Sequence, residues 1–156
     1  MRQFFKLFTF YFMCMASAAG SFWMPIAWAK DNTVLVMGDS LSAGYGMSLE
    51  QAWPTLLQGK LHESSSKETW QVINVSVSGE TTQGGVRRLP ALLEKFEPRW
   101  VLLELGANDG LRGYPIVNIT ANLSAMIEQI QASGAKVAVL GIQLPPNYGA
   151  RYTSPF

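Results

Sequence analysis

The sequence predicts a single α/β domain built on a parallel sheet, and two observations carry that expectation. Four short runs rich in Val, Ile and Leu occur at residues 33–37, 70–75, 100–105 and 136–144. They are near-continuous rather than alternating, as expected of strands buried on both faces. Three segments with helical spacing lie between them. The first spans about 52–63, with Pro54 suited to a first turn. The second spans about 82–96, where Val86, Leu89, Leu92, Leu93 and Phe96 recur three and four apart. Pro90 inside it predicts a kink or a restart. The third spans about 118–133, with Ile119, Leu123, Met126, Ile127 and Ile130 on one side and Gly134 as a stop. The order β-α-β-α-β-α-β implies right-handed crossovers and helices on both faces of the sheet.

Residues 1–29 read as a segment to set aside. Arg2 and Lys6 precede an apolar run over 7–19, and Ala27-Trp28-Ala29 then offers a small-x-small site before Lys30. Charge, apolar run and cleavage site in that order mark a secretory signal peptide. Gly20, Ser21 and Pro25 interrupt the run, which argues against a stable membrane anchor. Cleavage after Ala29 leaves one domain over 30–156, with a periplasmic or secreted location expected. The one cysteine, Cys14, falls within the leader. The remainder therefore has no disulfide, thiolate metal site or cysteine nucleophile. Formal charge is +1 over the whole chain, and Arg87-Arg88 is the only adjacent basic pair. Nucleic acid is not an expected partner.

Parallel α/β sheets place their sites beyond the carboxyl ends of the strands. The loop after the first run is Gly38-Asp39-Ser40-Leu41-Ser42-Ala43-Gly44. It presents a serine hydroxyl where a strand gives way to a tight turn. The loop after the second run carries Gly79, whose backbone N–H could aim at the same point. The loop after the third is Gly106-Ala107-Asn108-Asp109-Gly110, and the Asn108 amide is a donor suited to an oxyanion. Each motif alone is an ordinary turn. Together they put a nucleophile, a backbone donor and an amide donor at the ends of three successive strands.

Longer stretches around these loops resemble the GDSL (SGNH) hydrolases. They are Val36-Met37-Gly38-Asp39-Ser40-Leu41-Ser42-Ala43-Gly44-Tyr45, Ala52-Trp53-Pro54 and Arg88-Leu89-Pro90-Ala91-Leu92-Leu93. To these add Pro98-Arg99-Trp100-Val101, Glu104 through Gly113, and Leu144-Pro145-Pro146-Asn147-Tyr148-Gly149. More narrowly, the chain is similar to the bacterial periplasmic thioesterase I, lysophospholipase and arylesterase group. The resemblance implies a flavodoxin-like three-layer fold. It implies Ser40 as nucleophile, with Gly79 and Asn108 as oxyanion donors beside the Ser40 N–H. It implies a substrate loop of Leu111, Arg112, Gly113, Tyr114 and Pro115. It also implies carboxylic-ester and thioester substrates, no cofactor and a monomer.

The family's closing Asp-x-x-His block, which supplies the base and its orienting acid, has no counterpart here: no Asp or His follows Asp109. The sequence therefore reads as a hydrolase domain with its carboxyl-terminal part missing and little activity of its own. His62, the sole histidine, lies late in the first helical segment and reads as a surface residue. Asp39 does not replace the absent imidazole. Two rival readings remain: a non-catalytic acyl- or lipid-binding protein, and a carbohydrate acetyl esterase on the same fold.

Overall fold

A computed structural model describes residues 32–64, 68–144, 147, 149, 153 and 154. The expected leader and its expected cleavage site, residues 1–29, lie outside the described residues. Four strands and five α-helices are present among those residues. They run β1 (Asn32–Gly38), α1 (Ser40–Ala43), α2 (Trp53–Ser64), β2 (Trp70–Asn74), α3 (Thr82–Phe96), β3 (Trp100–Glu104), α4 (Ala107–Leu111), α5 (Ile116–Ala132) and β4 (Lys136–Val139). A 3₁₀ turn at Leu49–Gln51 precedes α2. The strands form one parallel sheet in the order β2-β1-β3-β4. This is the first part of the flavodoxin-like order.

The central strand β1 is buried from Thr33 to Gly38, as its unbroken apolar run predicts. The same expectation fails for β2 and β4, which are only half-buried and partly exposed. Both are edges of the described sheet, with one strand neighbour each. The β4 run was also expected to reach residue 144 but stops at Val139. Its partner β3 ends at Glu104, and Leu140 makes the last bond, donating to the Leu103 carbonyl at 2.9 Å. Beyond that point no neighbouring strand is present among the described residues for 141–144 to pair with.

One face of the sheet offers Leu35, Met37, Val101, Leu103 and Leu105 to Leu89 and Leu93 of α3 and Met126 and Ile130 of α5. Burying each such side chain contributes about 1.5–3 kcal/mol. Gly85 makes the close approach possible: a Cβ there would lie 2.6 Å from Leu105 Cδ1 and 2.9 Å from Met126 Sδ. Thr81 caps α3, its hydroxyl accepting from the Gly84 N–H at 3.2 Å. The helix then runs as one element through Pro90, without the expected restart. Pro90 is exposed, so water can reach the carbonyl that its missing N–H leaves free. Against β2 lies α2, where Gln58 Nε2 donates to the Trp70 carbonyl at 2.9 Å and Gln58 Oε1 accepts from the Val72 N–H at 2.7 Å.

Candidate active site

From β1 the chain connects to β2 on one side, and later to β3 on the other. A crevice therefore opens where the carboxyl ends of β1 and β3 diverge, the usual ligand position in such sheets. Gly38 ends β1 there, and a Cβ on it would lie 2.6 Å from Ser42 Oγ and 2.7 Å from Glu104 Oε2. Only glycine lets the turn fold back this tightly. Ser40 follows as the first residue of α1, a single helical turn where the sequence predicts a loop. Asp39 caps it, with Oδ1 accepting from the Leu41 N–H at 3.0 Å. Gly44 closes the turn in a left-handed conformation, φ +76°. The half-buried Ser40 is thus held on a short, braced elbow at the crevice.

Two bonds pin the loop after β2 alongside Gly38. The Gly38 N–H donates to Ser76 Oγ at 3.0 Å, and the Val77 N–H donates to the Gly38 carbonyl at 3.0 Å. Farther along, Arg88 of α3 donates to Glu80 Oε2 at 2.6 Å and to the Val75 carbonyl at 2.8 Å. Gly79 sits between these anchors at φ +80°, a backbone conformation that favours glycine. Arg112 donates to its carbonyl at 3.2 Å, tying this loop to the one after β3.

Beyond β3, Gly106 adopts φ +127° and starts α4, which carries Asn108. Asn108 Nδ2 donates to Asp39 Oδ2 at 3.0 Å. The turn that carries the expected nucleophile is therefore joined to the expected amide donor through the Asp39 carboxylate, although 68 residues separate Ser40 and Asn108 in the chain. The next residue, Asp109, is 2% exposed and faces away into the fold. It accepts from the Thr82 N–H at 2.9 Å and the Thr82 hydroxyl at 2.7 Å, and Asn122 Nδ2 donates to that hydroxyl at 3.0 Å. A buried carboxylate at the start of α3 matches the positive end of the helix dipole.

Sequence reasoning missed Glu104. It is 5% exposed, on the sheet face opposite Leu103, and in register with Gly38. Oε2 accepts from the Ser42 hydroxyl at 2.7 Å and, at 3.4 Å, from the Asp39 N–H. Oε1 is buried with no partner among the described residues. Burial pushes the carboxyl above its usual range; the Ser42 bond opposes this and the neighbouring Asp39 charge reinforces it. The available signal was a lone acid at the end of an otherwise apolar run, where a charge is costly unless it has a task.

The expected substrate loop is exposed from Leu111 to Pro115. Tyr114 and Pro115 line a cleft of about 350 Å³ with Gln83, Asp109, Asn118, Ala121 and Asn122. That cleft flanks the Asn108 loop, and its lining does not include Ser40 or Gly79. His62 is exposed near the end of α2. Among the described residues, no group of three or more His, Cys, Asp or Glu side chains could hold a metal ion.

The model of the GDSL-like lipase/acylhydrolase family matches residues 36–155. An arylesterase of Vibrio mimicus is 49% identical over 145 residues, 93% of this chain and 67% of that protein. Thioesterase 1/protease 1/lysophospholipase L1 of Escherichia coli strain K12 is 47% identical over 128 residues, 82% of this chain and 59% of that protein. The psychrotrophic esterase EstA of Pseudoalteromonas, solved with monoethylphosphonate as inhibitor, superposes with a TM-score of 0.75 at 50% identity. That match covers 81% of this chain and 68% of EstA. The chain thus spans between about three-fifths and two-thirds of the length of these proteins. With the parallel sheet and the crevice loops in agreement, the chain belongs to the GDSL-like lipase/acylhydrolase family.

Proposed function

We propose that this protein hydrolyses carboxylic esters and thioesters through an acyl-enzyme formed on Ser40. The observation that carries the reading is the 3.0 Å bond from Asn108 to Asp39, which sets an amide donor beside the serine turn. In this reading Ser40 attacks the acyl carbonyl. The oxyanion is held by the N–H groups of Ser40 and Gly79 and by the Asn108 side chain; it collapses with cleavage of the C–O or C–S bond, the alcohol or thiol leaves with the serine proton, and water then hydrolyses the acyl-serine ester to free the acid and restore the hydroxyl. Substrates are small acyl esters of the kinds the relatives' names specify: aryl esters, thioesters and lysophospholipids. Phosphonate inhibition of EstA supports an activated serine in the family. The protein works as a monomer without a cofactor. The test is Asn108→Ala in the full gene product. It lowers kcat about 100-fold or more with little change in KM, because the amide binds charge that exists only in the transition state. A change mainly in KM would make Asn108 a substrate-binding or structural residue instead.

We infer export from the charged start, apolar run and small-x-small site of residues 1–29. Among the described residues no helix is long and apolar enough to cross a membrane. Expressed in a bacterium from its natural start, the protein is expected to begin at Lys30 in the periplasm or medium. Amino-terminal sequencing that returns Met1 on membrane-bound protein would overturn this.

A further inference from the structure

We propose that Glu104 is a positioning residue for the reaction, holding the Ser40 turn and, through Asp39, the Asn108 amide in a single arrangement. The inference rests on the serine-hydrolase reading above and adds a residue to it. One carboxylate oxygen of Glu104 receives the hydroxyl of Ser42 at 2.7 Å and the N–H of Asp39 at 3.4 Å. These two residues flank Ser40, so the elbow is gripped from beneath on both sides of the nucleophile. Asp39 then uses both of its own oxygens, one on the Leu41 N–H and the other on Asn108 Nδ2. The chain of contacts from Glu104 thus ends on the proposed oxyanion donor.

The rest of the cluster locks Glu104 in turn. Trp53 Nε1 donates to Ser42 Oγ at 3.2 Å, and Asn74 Nδ2 donates to the Ser42 carbonyl at 2.8 Å. Elements α1, α2, β2 and β3 therefore meet at Ser42 and the Glu104 carboxylate. Stability alone does not account for an acid here. A Leu or Val at position 104 would continue the apolar strand, and well-packed apolar replacements of buried charges are often neutral or stabilising. The acid instead leaves Oε1 buried without a partner among the described residues, a cost that a packing role does not explain. Its contacts all lead to the turn that carries Ser40. A shift of about 1 Å in such a site can lower the rate about 100-fold.

The experiment compares Glu104→Ala, Glu104→Gln, Ser40→Ala and the core control Ile130→Val in the full gene product, well below every melting temperature. Glu104→Ala is expected to lower kcat about 10- to 100-fold with KM within about two-fold. Glu104→Gln keeps an acceptor for Ser42 and is expected to restore kcat to within about three-fold of the parent. Ile130→Val loosens the core and leaves kcat unchanged. A second readout needs no turnover. In ¹H–¹⁵N spectra the Asn108 side-chain amide and the Leu41 N–H shift in Glu104→Ala and not in Ile130→Val. If Glu104→Ala keeps the parent kcat, or leaves both resonances in place, the positioning role is wrong. If Ser40→Ala retains activity, the serine-hydrolase reading itself fails. If nothing turns over, the resonances alone decide whether Glu104 holds the Asn108 amide.

Discussion

Asp109 and Glu104 are both buried carboxylates at the carboxyl end of β3, and their surroundings set them apart. Asp109 accepts two short bonds from Thr82, one on each oxygen. Glu104 has one oxygen engaged and the other buried without a partner among the described residues. Burial therefore favours its protonated form, and its carboxyl is raised above the usual value. The sign of the linkage follows. A raised folded-state value means that the folded chain holds this proton more tightly than the unfolded chain. The resulting stability is fully present below the ordinary carboxylate range and is lost as pH rises through the raised value. Urea midpoints measured from about pH 4 upward should show that decline, and Glu104→Gln should flatten it because the amide does not titrate in this range. An unchanged slope would show that another group carries the dependence.

At the scale of elements, the sequence was most legible where one face of a periodic segment meets the core. The α3 bounds of Thr82–Phe96 follow from Leu89, Leu93 and their neighbours three and four residues apart, and the helix is found there. The four strands were placed to within a residue at their starts. What failed depended on neighbours that a linear pattern does not contain. The apolar run at 136–144 looks like strand throughout, yet β4 lasts only as long as β3 runs beside it. Pro90 looked like a break, but its exposure decides that it is tolerated. The single-turn helices α1 and α4 are too short to show periodicity, so Ser40 and Asn108 were placed on loops rather than at helix starts. The candidate site was legible as three separate motifs. Its connections were not, because Asp39 to Asn108 and Ser42 to Glu104 are contacts across more than 60 residues that only the sheet register creates.

At the scale of the molecule, the parallel sheet gives every residue an address, near the site or at the opposite edge. The crevice lies at the Gly38 end of β1, and Asn32 at the other end is in register with Trp70, where β2 begins. Gln58 of α2 already hydrogen-bonds to Trp70, so the helix has reached the far edge of the sheet by its middle. His62, one turn farther on, is exposed beyond that edge. A strand rises about 3.3 Å per residue, so the six steps from Asn32 to Gly38 along β1 alone separate His62 from the Ser40 turn by about 20 Å. Direct proton transfer needs a base within about 3 Å, or one water away. Serine without such a base is a weak nucleophile, and the sequence holds no second histidine. Residues 30–156 on their own are therefore expected to hydrolyse p-nitrophenyl esters barely above a Ser40→Ala control, even with the oxyanion donors in place. Such donors and binding alone can leave about 1,000- to 10,000-fold acceleration over water, which sets the ceiling for the residual signal. His62→Ala is expected to change nothing. Robust turnover by residues 30–156 that disappears in both Ser40→Ala and His62→Ala would mean that α2 brings its histidine to the crevice, and would overturn the placement of the base argued from this sheet.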